Sequence, residues 1–186
     1  MDDLDFFRDH PPSQVKLNSK NITLSSREIQ LDKNGTNTIE IIWNRALYNA
    51  EAMFVYCEDI EWIDFSNFDF SQVTSTTVLM GYCNKLKYVN FGNANASEVI
   101  YMNYMFTKCY ALETVDNFFK TLNVQSINSM FSQCSSLKSL DLSNFYTPFT
   151  TDFGSAFEDC ISNYLILIVL VLVQKIYKLY LVDVVI

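Results

Sequence analysis

Five cysteines constrain this chain more than any other feature. Cys57, Cys83, Cys109, Cys134 and Cys160 are separated by 26, 26, 25 and 26 residues. Other positions keep the same period. Met53, Leu79, Met105, Met130 and Ala156 stand four residues before each cysteine, and Phe54, Met80, Phe106, Phe131 and Phe157 stand three before. Ile60, Leu86, Leu112 and Leu137 follow three after the first four cysteines, and Ile63, Val89, Val115 and Leu140 follow six after. Phe65, Phe91 and Leu142 follow eight after three of them. The 25-residue interval marks one residue lost near Asp116-Asn117-Phe118. A fixed period between 20 and 50 residues is the mark of stacked repeats, each unable to bury its apolar face alone. Four linked units run from about Met53 to Cys160.

Within a unit, Leu137-x-x-Leu140-x-Leu142 alternates like a short strand with one buried face. Ile127, Met130, Phe131 and Cys134 have helical spacing. Each unit therefore reads as strand, turn, helical segment, turn. The expected fold is α/β: a short leucine-rich-like solenoid with a parallel sheet on one side, helical segments on the other and a β-rich N-terminal cap. The chain has only 4 Gly and 3 Pro. Asn and Ser, as in Ser66-Asn67 and Ser143-Asn144, are expected to do the turning through side-chain bonds to their own backbone.

The stretch Met130-Phe131-Ser-Gln-Cys134-Ser-Ser-Leu137-Lys-Ser-Leu140-Asp141-Leu142-Ser143-Asn144-Phe145 resembles the 26-residue repeat of BspA-type leucine-rich surface proteins, as does Met53 to Val73. The resemblance covers about Ile39 to Cys160. Phe68 and Phe145 stand where ordinary leucine-rich repeats carry asparagine, and Thr150 stands where Val73 and Val99 stand. The resemblance implies a surface-associated protein of a bacterium or microbial eukaryote, engaged in adhesion and protein binding.

Residues 1–14 read as a disordered or truncated lead, and 15–52 as the cap. Val15-Lys-Leu17, Ile22-Thr-Leu24 and Thr38 to Ile42 are strand-like, and Asp32-Lys-Asn34-Gly35 is a turn signal. The acidic start is no signal peptide. Either the start is truncated or the protein is internal. Residues 53–160 are the stacked repeats, and 161–186 a divergent apolar tail. Its ten apolar residues, Tyr164 to Val173, fall short of the roughly 20 that a membrane helix needs. Three readings stay open: a buried strand, a membrane anchor, or a fifth repeat translated out of frame. Contact with a membrane follows only from the second.

The residue inventory disfavours catalysis. His10 is the single histidine, and no GxGxxG or GxxxxGK[ST] occurs. A net charge of −8 argues against nucleic acid as partner. No CxxC pair occurs, and a 26-residue interval does not match zinc-finger spacing, so the cysteines read as a buried core ladder. No catalytic residue, metal or cofactor is expected. Asn21-Ile-Thr23, Asn34-Gly-Thr36 and Asn95-Ala-Ser97 match the N-glycosylation pattern at a frequency near chance.

Strand alternation turns one set of residues outward: Trp62, Tyr88, Thr114 and Ser139 in one row, Asp64, Asn90, Asp116 and Asp141 in the next. They form a candidate binding strip with aromatic anchors at one end and carboxylates along it. The alternative is a solvated sheet face. The sequence thus suggests a non-catalytic recognition or adhesion protein that binds a protein or cell-surface ligand. An intracellular interaction scaffold is the second reading.

Overall fold

A computed structural model describes residues 6–23, 35–92, 94–118, 120–142, 144–145 and 148–160. The tail, Leu24, Asp32 to Asn34, the Asn34 of one glycosylation match and Ser143 lie outside the described residues, as do residues 1–5.

Two compact units divide the chain, Met1–Ala46 and Leu47–Ile186. In the first, α1 (Phe6–Asp9) is a single helical turn. Strands β1 (Gln14–Leu17), β2 (Lys20–Ile22) and β3 (Ile39–Ile42) form an antiparallel sheet in the order β2-β1-β3. A tight turn with Asn18 and Ser19 at positive φ joins β1 to β2. Trp43 donates from Nε1 to the His10 carbonyl at 2.9 Å, and its ring stacks on Phe7.

In the second unit, β4 (Trp62–Asp64), β5 (Tyr88–Asn90), β6 (Thr114–Asp116) and β7 (Ser139–Leu140) make a parallel sheet in sequence order. Ile63, Val89, Val115 and Leu140 pair in register on its inner side. The lost residue appears in the register: Asn90 pairs with Asp116, 26 positions on, whereas Asn95 bridges Lys120, 25 on. Asn117, with φ 51°, lies between Asp116 and Lys120. Phenylalanines continue the stacking inside. Phe65 lies on Phe91, Phe106 on Phe131 and Phe131 on Phe157, with centroids 4.9–5.5 Å apart and nearly parallel rings.

The expected helical segments are not there. The described residues are mostly sheet and turn, about 3% helical, and their strands form two sheets rather than the α/β leucine-rich-like solenoid that the spacing suggested. Residues 51–56, 77–82, 103–108, 128–133 and 154–159 are runs of turns instead. Each run holds two residues with left-handed backbone, four positions apart: Ala52 and Tyr56, Val78 and Tyr82, Tyr104 and Lys108, Ser129 and Gln133, Ser155 and Asp159. An α-helix needs every residue right-handed and every N–H bonded to the carbonyl four back.

Here the donors alternate. Thr76, Val78, Met80 and Tyr82 donate their N–H to Tyr101, Asn103, Met105 and Thr107 of the next repeat at 2.8–3.0 Å. Leu79, Gly81 and Cys83 donate three residues back, to Thr76, Val78 and Met80. Val78 and Tyr82 occupy the third position of the turns Thr76–Leu79 and Met80–Cys83, where a type II turn requires positive φ. Corners four residues apart reproduce the i, i+4 spacing of a helix, so apolar periodicity alone could not tell the two apart.

Turning falls to Asp and Asn. Asp64, Asp69, Asn90 and Asn95 each accept the N–H two residues on, from Ser66, Ser71, Gly92 and Ser97. Gly92 meets a strict demand. Its φ is 61°, and a Cβ there would lie 2.7 Å from Ser66 Cα. Among the described residues no helix is long and apolar enough to cross a membrane.

Two substitutions test the corners. Ser129→Gly should raise stability by about 1 kcal/mol in urea unfolding, since glycine carries no left-handed penalty; a loss of that size is what a helical segment would show. Gly92→Ala should lower stability by about 2 kcal/mol, and an unchanged midpoint would contradict the packing against Ser66.

Candidate functional site

Parallel pairing assembles most of the sequence-predicted strip. Trp62, Tyr88, Thr114 and Ser139 are consecutive partners across the sheet, and Asp64, Asn90 and Asp116 form the neighbouring row. Asp141 lies just past β7, exposed. Trp62 is 49% exposed; Tyr88, Thr114 and Ser139 are half-buried.

The polar row bonds mainly within the protein. Asp64 Oδ1 accepts the Ser66 N–H at 2.9 Å and Asn90 Nδ2 at 3.1 Å. Asn90 Oδ1 accepts the Gly92 N–H at 3.0 Å and Asn117 Nδ2 at 2.9 Å. These side chains stitch one repeat's turn to the next. Tyr88 donates its hydroxyl to Asp116 Oδ2 at 3.0 Å. Partial loss of hydration, then that bond and the charges of Asp116 and Asp64, hold the Tyr88 phenol above its ordinary pKa. Tyr88 is therefore tied down as well as displayed, and Trp62 is the strip's open aromatic.

The sequence reading missed a flanking row. Glu61, Lys87, Glu113 and Lys138 stand four after the first four cysteines and alternate in sign. Lys87 Nζ lies 2.7 Å from Glu61 and Lys138 Nζ 2.5 Å from Glu113; Lys85 reaches Asp59 at 2.7 Å. Hydrogen bonding to Lys87, and then its charge, lowers the Glu61 carboxyl. The signal was available, since the cysteine ruler indexes charged positions as readily as apolar ones. Exposed pairs add little stability, but alternation favours one order of neighbours.

The thiols form a ladder of a definite kind. Cys83, Cys109, Cys134 and Cys160 donate from Sγ to the carbonyls of Phe54, Met80, Phe106 and Phe131 in the preceding repeat, at 2.9–3.2 Å. Those carbonyls also accept the N–H of the cysteine in their own repeat. Each oxygen thus has both lone pairs engaged, which explains a small buried donor at this position. All five thiols are free, and no cluster of three or more potential ligands that could hold a metal occurs among the described residues. Asn95, in one glycosylation match, is exposed and turns its Oδ1 onto the Ser97 N–H.

Burial pushes the Cys109 thiol up to about 12 and Cys160 up to about 11, and raises Cys57, Cys83 and Cys134 as well. Iodoacetamide at about pH 8 should therefore leave Cys83, Cys109 and Cys134 unmodified in the native protein and label them in denaturant. A raised acid pKa favours folding while the thiol stays protonated in both states. Stability should hold up to the ordinary thiol pKa of about 8.5 and fall as pH rises beyond it. Native-state alkylation of the three buried thiols would contradict the ladder.

No curated protein and no solved structure matches the chain. A family described as "Mycoplasma protein of unknown function, DUF285" matches residues 48–165, which span β4 to β7 and all five cysteines. With well over half its length matched, the chain belongs to the DUF285 family.

Proposed function

We propose that this protein is a non-catalytic recognition module that binds a protein or other cell-surface ligand through the outer face of its four-stranded sheet. One observation carries the reading: Trp62 stands half-exposed at the head of an in-register row with Tyr88, Thr114 and Ser139. Large aromatics held on rigid elements are the usual anchors of protein interfaces, because they bury much area at small entropic cost. The strands beneath are fixed by backbone pairing and by the Asp64, Asn90 and Asp116 side-chain bonds, so the row is preorganised. The resemblance to BspA-type proteins supports adhesion as the role and the cell surface as the place.

Beads coated with the full chain should adhere to cultured cells or to immobilised matrix proteins. Trp62→Ala should weaken adhesion by about tenfold or more, the scale of an interface anchor. Thr114→Arg, a bulky charge at the centre of the face, should do the same without lowering the unfolding midpoint. Undiminished adhesion by both variants would remove the sheet face from consideration.

A further inference from the structure

Most of the exposed aromatics do not lie on the sheet. Tyr48, Tyr56, Tyr101, Tyr104 and Tyr110 are 42–66% exposed, and all belong to the turn segments or their flanks. One column is organised. Tyr56, Tyr82 and Lys108 each stand one residue before a cysteine, on successive repeats. Each sits at a left-handed corner with φ 58–65°, and each donates its N–H to the next repeat at 2.8–3.0 Å. The backbone therefore fixes the direction of every side chain in the column.

The rings of Tyr56 and Tyr82 stack with centroids 4.6 Å apart. Lys108 places its ammonium 5.1 Å from the Tyr82 centroid. In stack order, Tyr82 has a ring on one side and a cation on the other. Among the described residues, Tyr82 supplies the one ring that stacks on Tyr56, which is 62% exposed. Glu58, two residues on, is exposed and forms no ion pair among the described residues.

We propose that the Tyr56–Tyr82 column is a second interaction surface, distinct from the sheet face, which takes a lysine- or arginine-bearing segment of a protein partner on the open face of Tyr56. The chain supplies the precedent: its own Lys108 sits over the Tyr82 ring, the next member of the same column. A ring quadrupole attracts a cation over its face, and the exposed Glu58 carboxylate two residues on adds to the attraction for a guanidinium or ammonium. The chain's net charge of −8 draws such a segment in.

The test uses the full chain and a fluorescent oligoarginine peptide, with oligoglutamate as counter-probe. The parent should bind oligoarginine and not oligoglutamate. Tyr56→Ala leaves the net charge unchanged, yet should weaken binding about tenfold. Tyr56→Phe keeps the ring face and should bind as the parent does. Tyr56→Leu keeps apolar bulk without the ring and should lose as much as Tyr56→Ala, which guards against a misfolded alanine variant. Lys108→Met frees the second face of Tyr82 and should strengthen binding. The proposal is overturned if oligoarginine does not bind, if Tyr56→Ala or Tyr56→Leu binds like the parent, or if Tyr56→Phe loses as much as they do.

Discussion

The alternation of backbone donors between neighbouring repeats is the constraint on which the second unit depends. In the first four turn segments every second N–H crosses to the next repeat, and most of the N–H groups between close turns within their own. A buried backbone that neither coils into a helix nor runs as a long strand must still satisfy its polar groups. Alternation does this, and it demands a left-handed corner every four residues. Those corners are Ala, Tyr, Val, Lys, Ser, Gln and Asp rather than Gly. Each costs about 1–2 kcal/mol, which packing and cross-repeat bonds offset. The cysteine ladder follows from the same geometry, because a turn carbonyl has a lone pair to spare and the next repeat brings a thiol to it.

Much of this order was legible in the cysteine spacing. The repeat boundaries, the inward Leu and Val positions, the lost residue near Asp116 and the outward rows on the sheet could all be read from it, because strand alternation and a fixed offset determine them. The local conformation of Met130-Phe131-x-x-Cys134 could not. Its spacing suits a helix, but the conformation is decided by bonds to a chain segment 25 residues away, and hydrophobic periodicity carries no record of those partners. The same applies to turning. Ser66 and Asn67 were the expected agents, yet Asp64, two residues before Ser66, supplies the accepting oxygen.

Seven of the eight residues of the candidate strip lie in β4 to β7, and Asp141 lies just past β7. Asp64, Asn90 and Asp116 looked like ligand-facing polar groups, but their first partners are Ser66, Gly92, Asn117 and Tyr88 of the protein itself. Their ladder makes the sheet face stiff, and stiffness is what a recognition surface needs from residues that do not touch the ligand. Sequence alternation reveals which way a side chain points and not what it meets there. Tyr56 and Tyr82, each one residue before a cysteine, were legible on the same ruler, since equal offsets stack whatever the local backbone.

The most direct test of the alternation is the measurement of scalar couplings across hydrogen bonds by nuclear magnetic resonance. The account predicts a coupling from the Val78 N–H to the Asn103 carbonyl and from the Gly81 N–H to the Val78 carbonyl, with the same pairing for Tyr104 to Asn128 one repeat on. Couplings from these amides to carbonyls four residues back would show a helix and contradict it.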